Sequence, residues 1–365
     1  MKGERIKIAR KRAGLSLRDL EVKIDGLVSA QAIGKYERGE MTPSSEVLVA
    51  LSKSLNVSIP YLIAPQAVEL GKVEFRRKAS TTAKDRARVE TEVLEGVERY
   101  LQIEEILSLG SASWIIPEGL RSNVSSPDEA EELAKELRVC WSLGNDPIPN
   151  MTELLEEKGI KVLLADLPDK VSGLTCIVKQ PNRDLEVPVI IVNNNHTLER
   201  RRLTMGHELG HRLIKANNLD EADLEKLCNR FAGAFLAPRE HLESEIGKQR
   251  SAFGYSEIIT LKRLYRISGG AFLMRLFQIG AIDEHSKEYA FRTFANGWRT
   301  KEPEQLEPEK ERGKFERPKR FERLVFRALA EDMISPMKAA ELLRQTIAKV
   351  EEGLKGPARA NADNH

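Results

Sequence analysis

Cysteines and aromatic residues are scarce in this chain, and neither charge is in useful surplus. The three cysteines, Cys140, Cys176 and Cys228, are scattered without a CxxC spacing, which argues against a disulfide framework or a cysteine-rich metal knot and fits a reducing cytosol. Lysine and arginine number 58 against 56 acidic residues. The field of the whole molecule therefore draws in no polyanion, and nucleic-acid binding would need a local basic patch. No apolar run approaches the roughly 18 to 20 residues that span a bilayer, and the start, MKGERIKIARKRAG, has no apolar signal-peptide core. A cytoplasmic protein without membrane association is expected. Length is not lacking, since 365 residues at 41% hydrophobic content allow two or three domains, each with its own core.

From Arg5 to Leu62 the apolar positions fall at helical spacing in short runs, RIKIARKRAG, SLRDLEVKID, SAQAIGKYERGE, SSEVLVALSKSLN and IPYLI, which predicts five short helices. Ser16 stands as an N-cap before LRDLEVKI and Ser29 as another before AQAIGKYERG, across the short link Asp25-Gly26-Leu27-Val28. Two short helices across a tight turn are the helix-turn-helix plan, whose second helix enters the DNA major groove. The words LSLRDL and IGKYERGEMTPSSEVLVALSKSLNVS resemble the Xre-type helix-turn-helix family.

That resemblance implies structural roles for Tyr36, Glu37 and Gly39, and places Ser29, Ala30, Gln31 and Lys35 against double-stranded DNA. Gln31 can make a bidentate contact with adenine, and Lys35 can reach guanine or phosphate. Leu17 stands where the family often has a phosphate-gripping glutamine. The cluster Arg5, Lys7, Arg10, Lys11 and Arg12 is expected to supply phosphate contacts instead, making binding strongly salt-dependent. The alternative is a protein-docking bundle whose charges are solvated helix faces. Xre domains usually dimerise, so the resemblance also implies a homodimer reading an operator with half-sites about one helical turn apart.

After Pro65 the chain becomes dense in charge, with apolar residues at helical intervals from Val89 to Leu109. A long, mostly exposed helix is expected there, joining two domains and pairing with its copy in a dimer. FRRKAS within the same stretch could touch DNA flanks.

SSPDEAEELAKELRVCWSLG, with Ser126 as cap, and MTELLEEKGI predict two further helices. Three runs enriched in β-branched residues follow, IKVLLAD, GLTCIVK and VPVIIVN, and then a helix carrying MGHELGHRLI. That order predicts an α+β unit with helices packed on a small mixed sheet. Residues four apart on a helix lie about 40° apart around the axis and about 6 Å along it, so His207 and His211 can reach one ion. Glu208 falls beside that face, where a carboxylate can take the proton of a water whose pKa zinc lowers to about 7.

By itself HExxH also fits a pair of helix histidines with a salt-bridging glutamate. What shifts the balance is a second helix, EADLEKLCNRFAGAFLAP, which brings Glu225 fourteen residues beyond His211. Asn229 follows one turn later, placed to orient a ligand.

The words VIIVNNN, LERRRLTMGHELGHRLI and LEKLCNRFAGAFLAP, within residues 127–242, are similar to the ImmA/IrrE-type metallopeptidases. The similarity implies a zinc-dependent endopeptidase or a protein derived from one, with His207, His211 and Glu225 as ligands and Glu208 as base. Cys228 replaces a common alanine, and Leu203 and Gly206 replace the usual phenylalanine and alanine. Cys228 could be a fourth ligand, but cysteine is more often a small buried apolar residue. For the oxyanion the candidates are His196, His241 and the run Arg200, Arg201 and Arg202, each with a structural alternative; the arginines are expected to bind carboxylates of the fold.

Beyond Pro238, YSEIITLKRLYRISGGAFLMRLFQIGAI predicts two helices broken at Gly269-Gly270, LEPEKERGKFERPKR is charged and proline-punctuated, and amphipathic helices return to about residue 355. The expected organisation is a helix-turn-helix domain over 1–65, a helical connector over 66–125, a zincin-like domain over 126–245, a helical region over 246–355 and a disordered tail over 356–365. Two functions follow. One is a transcription regulator, in the first instance a repressor, whose metallopeptidase-like domain cleaves itself or a partner repressor or another protein substrate, or senses a signal. The other is an antitoxin that binds its toxin through the C-terminal half and autoregulates, with a non-catalytic zinc site.

Overall fold

The computed structural model describes residues 3–57, 59–63, 69–70, 83–109, 114–180, 185–215, 219–250, 253–298 and 300–355. FRRKAS and the expected tail lie outside them. The first unit is five helices, α1 Glu4–Arg12, α2 Leu17–Lys23, α3 Ala30–Glu37, α4 Ser45–Leu55 and α5 Ile59–Ile63. Their starts are written locally. Ser16 and Asp19 form a reciprocal capping box on α2, and Ser29 and Ser44 accept backbone N–H groups at α3 and α4. Ile6, Leu20, Ile33, Leu51, Leu55 and Leu62 close a core drawn from this unit alone.

Among the described residues the sheet has four strands, β1 Glu69–Leu70, β2 Lys161–Ala165, β3 Gly173–Gln180 and β4 Leu185–Asn193, in the order β1-β3-β4-β2. β2 runs parallel to β4, and the other pairs are antiparallel. The three longer strands are the three predicted runs. The two-residue β1 comes from the connector, where no strand was expected, because two residues carry no periodicity to read.

α6, Ala83–Ile106, corrects the expectation of a mostly exposed connector helix. One face, Val89, Val93, Val97 and Leu101, is buried on the sheet against Cys176, Val178, Val189 and Ile191. Tyr100, Ile103 and Leu107 pack instead against Leu324, Val325, Ala328 and Leu342 near the C-terminal end. The apolar faces of this helix are thus covered by other parts of the same chain.

On the opposite side of the sheet lie α7 Pro127–Cys140, α8 Met151–Glu157, α9 Leu198–Leu213 and α10 Glu221–Leu236. Ile190 and Val192 of β4 share one apolar cluster with Met205 and Leu209 of α9 and Phe231 and Phe235 of α10. α11 Arg239–Ile246, α12 Tyr255–Tyr265, α13 Gly269–Gln278 and α14 Glu284–Arg292 follow. The same cluster continues through Tyr265, Phe272 and Trp298, so the core runs on without a break past residue 245. α15 Arg320–Ala330, α16 Pro336–Leu343 and α17 Ile347–Lys355 are the last described helices, with Ser335 capping α16 and Pro336 in its first turn, as the sequence predicts.

The charged, proline-punctuated stretch is a strap on the back of α9. Glu307 takes Arg201 at 2.8 Å, Glu316 takes Arg202 at 2.5 Å, and Lys262, fully buried, reaches both Glu199 and Glu302. Each of these buried charges has a counter-charge, the condition under which ionised groups are tolerated in a core. Among the described residues no helix is long and apolar enough to cross a membrane.

Candidate metal centre and nucleic-acid interface

Two glycines of MGHELGHRL set how close the metal-site helices come. A Cβ at Gly206 would stand 3.3 Å from Ala232 Cβ, and one at Gly210 would stand 3.2 Å from Phe231 Cδ1 and 3.3 Å from Cys228 Cα. The absent side chains let α9 and α10 approach to near backbone contact, with Phe231 and Phe235 stacked beside them. Gly206 is thus more than a neutral exchange for alanine. Its i, i+4 relation to Gly210 is visible in the sequence and marks the side of α9 that faces α10.

That approach brings the ligand candidates together. His207 Nε2 and His211 Nε2 are 3.2 Å apart, His211 Nε2 is 3.3 Å from Glu225 Oε1, and His207 Nε2 is 3.7 Å from Glu225 Oε2. Four donors held tetrahedrally at the usual zinc distances of about 2.0–2.2 Å have mutual spacings of roughly 3.4 Å. The three separations scatter around that edge length, and all three donor atoms lie within 4.8 Å of one another. Two imidazoles and a carboxylate are also a donor set of zinc type, so the residues fit the ion.

The remaining nitrogen of His207, Nδ1, is 2.7 Å from Asn229 Oδ1. An amide oxygen only accepts, so Nδ1 carries the proton and Nε2 keeps its lone pair toward the other donors. Glu208, adjacent to His207 on α9, is 2% exposed. The cluster has three members among the described residues, and Cys228 is not one of them; it is fully buried in the apolar cluster.

The oxyanion candidates go elsewhere. His196 Nε2 meets the Asp169 carbonyl at 3.2 Å, and burial, followed by the nearby Arg200, lowers its pKa, which keeps the ring neutral. His241 Nδ1 is 2.7 Å from the Tyr265 hydroxyl, beside Asp146. Arg200 donates to Ser172 Oγ, and Arg201 and Arg202 bind Glu307 and Glu316, so two of the three arginines do hold carboxylates of the fold.

On the N-terminal bundle, Ser29 and Gln31 are exposed at the start of α3, with Ala30 and Lys35 half-buried along it. Ser29 keeps its hydroxyl oxygen on the Ala32 N–H as a cap. The expected phosphate cluster needs correction. Arg10 is bound through Nε and Nη2 to Glu37 at 2.6 and 2.8 Å and donates to the Leu15 carbonyl. Arg12 reaches Glu95 on α6 at 2.8 Å, and Arg5 pairs with Glu98. Lys7 is exposed and Lys11 half-buried. The acidic partners sit 27 to 93 residues away, a separation that no local reading of the basic run could bridge.

Comparison with known proteins agrees with these two regions. Residues 6–62 match the family model described as helix-turn-helix, and residues 155–277 match that of the IrrE N-terminal-like domain. Among solved structures, a Mycobacterium tuberculosis transcriptional regulator is similar at 17% identity with a TM-score of 0.25, the match covering 49% of this chain and 51% of that one. This chain thus spans about half the length of that regulator. No curated protein matches the chain.

Proposed function

We propose that this chain, in which an Xre-type helix-turn-helix domain is joined to an ImmA/IrrE-type metallopeptidase-like domain, is a DNA-binding transcription regulator, in the first instance a repressor, with a zinc peptidase centre. The observation that carries the second part is the spacing of the His207, His211 and Glu225 donor atoms, close to the edges of a zinc tetrahedron, with Asn229 fixing the His207 tautomer. Those three residues hold the ion. Zinc, when bound, supplies a Lewis acid that polarises a peptide carbonyl and acidifies water. Glu208 accepts the proton of the attacking water and passes it to the leaving amine. Asn229 keeps His207 oriented, and the apolar packing of α9 on α10 excludes solvent from behind the site.

On the DNA side, Gln31 and Lys35 read base edges from α3 and Lys7 and Lys11 contact phosphate, in a homodimer on a two-fold operator. The substrate of the peptidase centre is a protein, this chain or a partner repressor. The test is twofold. Purified protein should hold about one zinc per chain and Glu225→Ala almost none; equal metal in both would refute the ligand set. Glu208→Gln should keep zinc and lose cleavage of the partner, and unchanged cleavage would refute the base.

A further inference from the structure

The helix-turn-helix bundle does not merely trail on a tether; it is docked on α6, and the joint has an unusual composition. Among the described residues the apolar cluster of the bundle contains no residue of α6, and neither cluster around α6 contains a residue of the bundle. What meets instead is charge. Glu95, 2% exposed on α6, accepts from Arg12 of α1 at 2.8 Å and from the Tyr61 hydroxyl of α5 at 2.6 Å. One turn on, Glu98 holds Arg5, whose guanidinium lies 4.9 Å from the Tyr61 ring centre.

The same Glu95 oxygen that takes Arg12 also takes Arg344, the residue that ends α16. Arg99 of α6 adds a bond to the Leu342 carbonyl at 2.6 Å. One carboxylate therefore joins the DNA-reading bundle, the central helix and the C-terminal helices. Burial alone would raise the Glu95 pKa, but the charges of Arg344 and Arg12 outweigh it and hold the carboxyl below its ordinary value.

We infer that the helix-turn-helix domain is a releasable head, latched to α6 through Glu95 and Glu98, and that Arg344 makes the latch responsive to the position of the C-terminal helices. Polar interfaces between domains of one chain default to relative motion, and a buried carboxylate that loses its charge leaves its cationic partners opposed to one another. With Glu95 neutral, Arg12, Arg344 and the neighbouring Arg99 lose the carboxylate that faces all three, with Glu92 the nearby acid that remains, and the head parts from α6. Displacing α16, by a ligand or protein on the C-terminal helices, withdraws one of the two guanidinium groups that keep the buried Glu95 ionised, and holding that carboxylate under the bundle then costs more. This use of the latch rests on the regulator reading, whereas the latch itself is a property of the protein without DNA.

The test uses the full-length chain with two dyes, one on Cys140, which is naturally exposed while Cys176 and Cys228 are buried, and one on Val22→Cys, at a position 75% exposed. Single-molecule energy transfer should give one narrow distance in the parent. Glu95→Gln should raise the undocked fraction relative to the docked one about ten- to a hundredfold, and Arg344→Met should raise it less, with unchanged helical circular dichroism in both. A single, unshifted distance in folded Glu95→Gln would overturn the latch. Should Glu95→Gln fail to fold, Arg344→Met decides, because its side chain is 38% exposed and leaves Arg12 and Tyr61 on Glu95; an unshifted distance there overturns the C-terminal link. DNA binding can fail entirely without affecting either readout.

Discussion

Between α9 and α10 the contact is dry and close, with glycine against alanine and phenylalanine and one small polar cluster at its rim. Between α1 and α6 the contact is ionic, with arginines on buried glutamates and no shared apolar cluster among the described residues. Dispersion and the hydrophobic effect are additive and indifferent to small reorientations of charge, and they hold a geometry that a metal needs to within tenths of an ångström. Ion pairs lose much of their Coulomb gain to desolvation, so they fix an orientation at little net cost to separation. The α9–α10 contact therefore fixes positions closely, and the α1–α6 contact leaves its two sides freer to part.

The sharpest way to break that contrast is at the dry joint. Phe231→Ala removes a fully buried ring that touches both Gly210 and Phe235, and should cost about 3–5 kcal/mol in denaturant unfolding, with loss of bound metal. A mild effect would mean that the joint is looser than its packing.

Next in size is a charge inside the core. Burial raises the Glu156 pKa from 4.5 to about 7, with the Tyr100 hydroxyl of α6 beside it. A carboxyl whose folded pKa is raised binds more protons than in the unfolded chain between those two values. Its contribution is therefore fully favourable below about pH 4.5 and declines as pH rises through about 7. Glu156→Gln should match the parent near pH 4 and exceed it near pH 8 by about 3 kcal/mol; equal stability at both ends would deny the shift.

At the rim of the dry joint, Asn229→Ala should weaken zinc binding about 10- to 100-fold without removing a ligand, measured by chelator competition. The smallest effect separates two arms of the basic run. Lys7→Ala should reduce the slope of log affinity for DNA against log salt by about 1, while Arg10→Met should leave the slope alone, because Arg10 is bound to Glu37. Equal changes would return Arg10 to the phosphates.

The contrast also explains what could be read in advance. Caps at Ser16, Ser29 and Ser126 are local signals and appear where the sequence puts them. The three longer strands follow from local β-branched runs, and i, i+4 spacing within α9 and within α10 pairs His207 with His211 and Glu225 with Asn229, so the cluster of candidate donors was legible in advance. The α6 helix was legible as a helix but its environment was not. Its charges looked solvated, yet Glu95 and Glu104 are buried against Arg344 and Lys161, partners that only the tertiary fold supplies. The strap over 302–317 was not legible for the same reason, since nothing in a charged, proline-punctuated run tells that the buried cations Arg201, Arg202 and Lys262 lie beneath it.

The span between Glu95 and Arg344 also has a consequence in time. The two residues are 249 positions apart, and at about 5–20 residues per second of synthesis the second follows the first by roughly 10 to 50 s. The N-terminal bundle, with a core drawn from its own residues, folds as soon as it emerges. Its partners Glu95 and Glu98 follow it closely in the chain, so the contact with α6 precedes the one with Arg344, and every newly made molecule holds Glu95 with one guanidinium before the C-terminal helices supply the second.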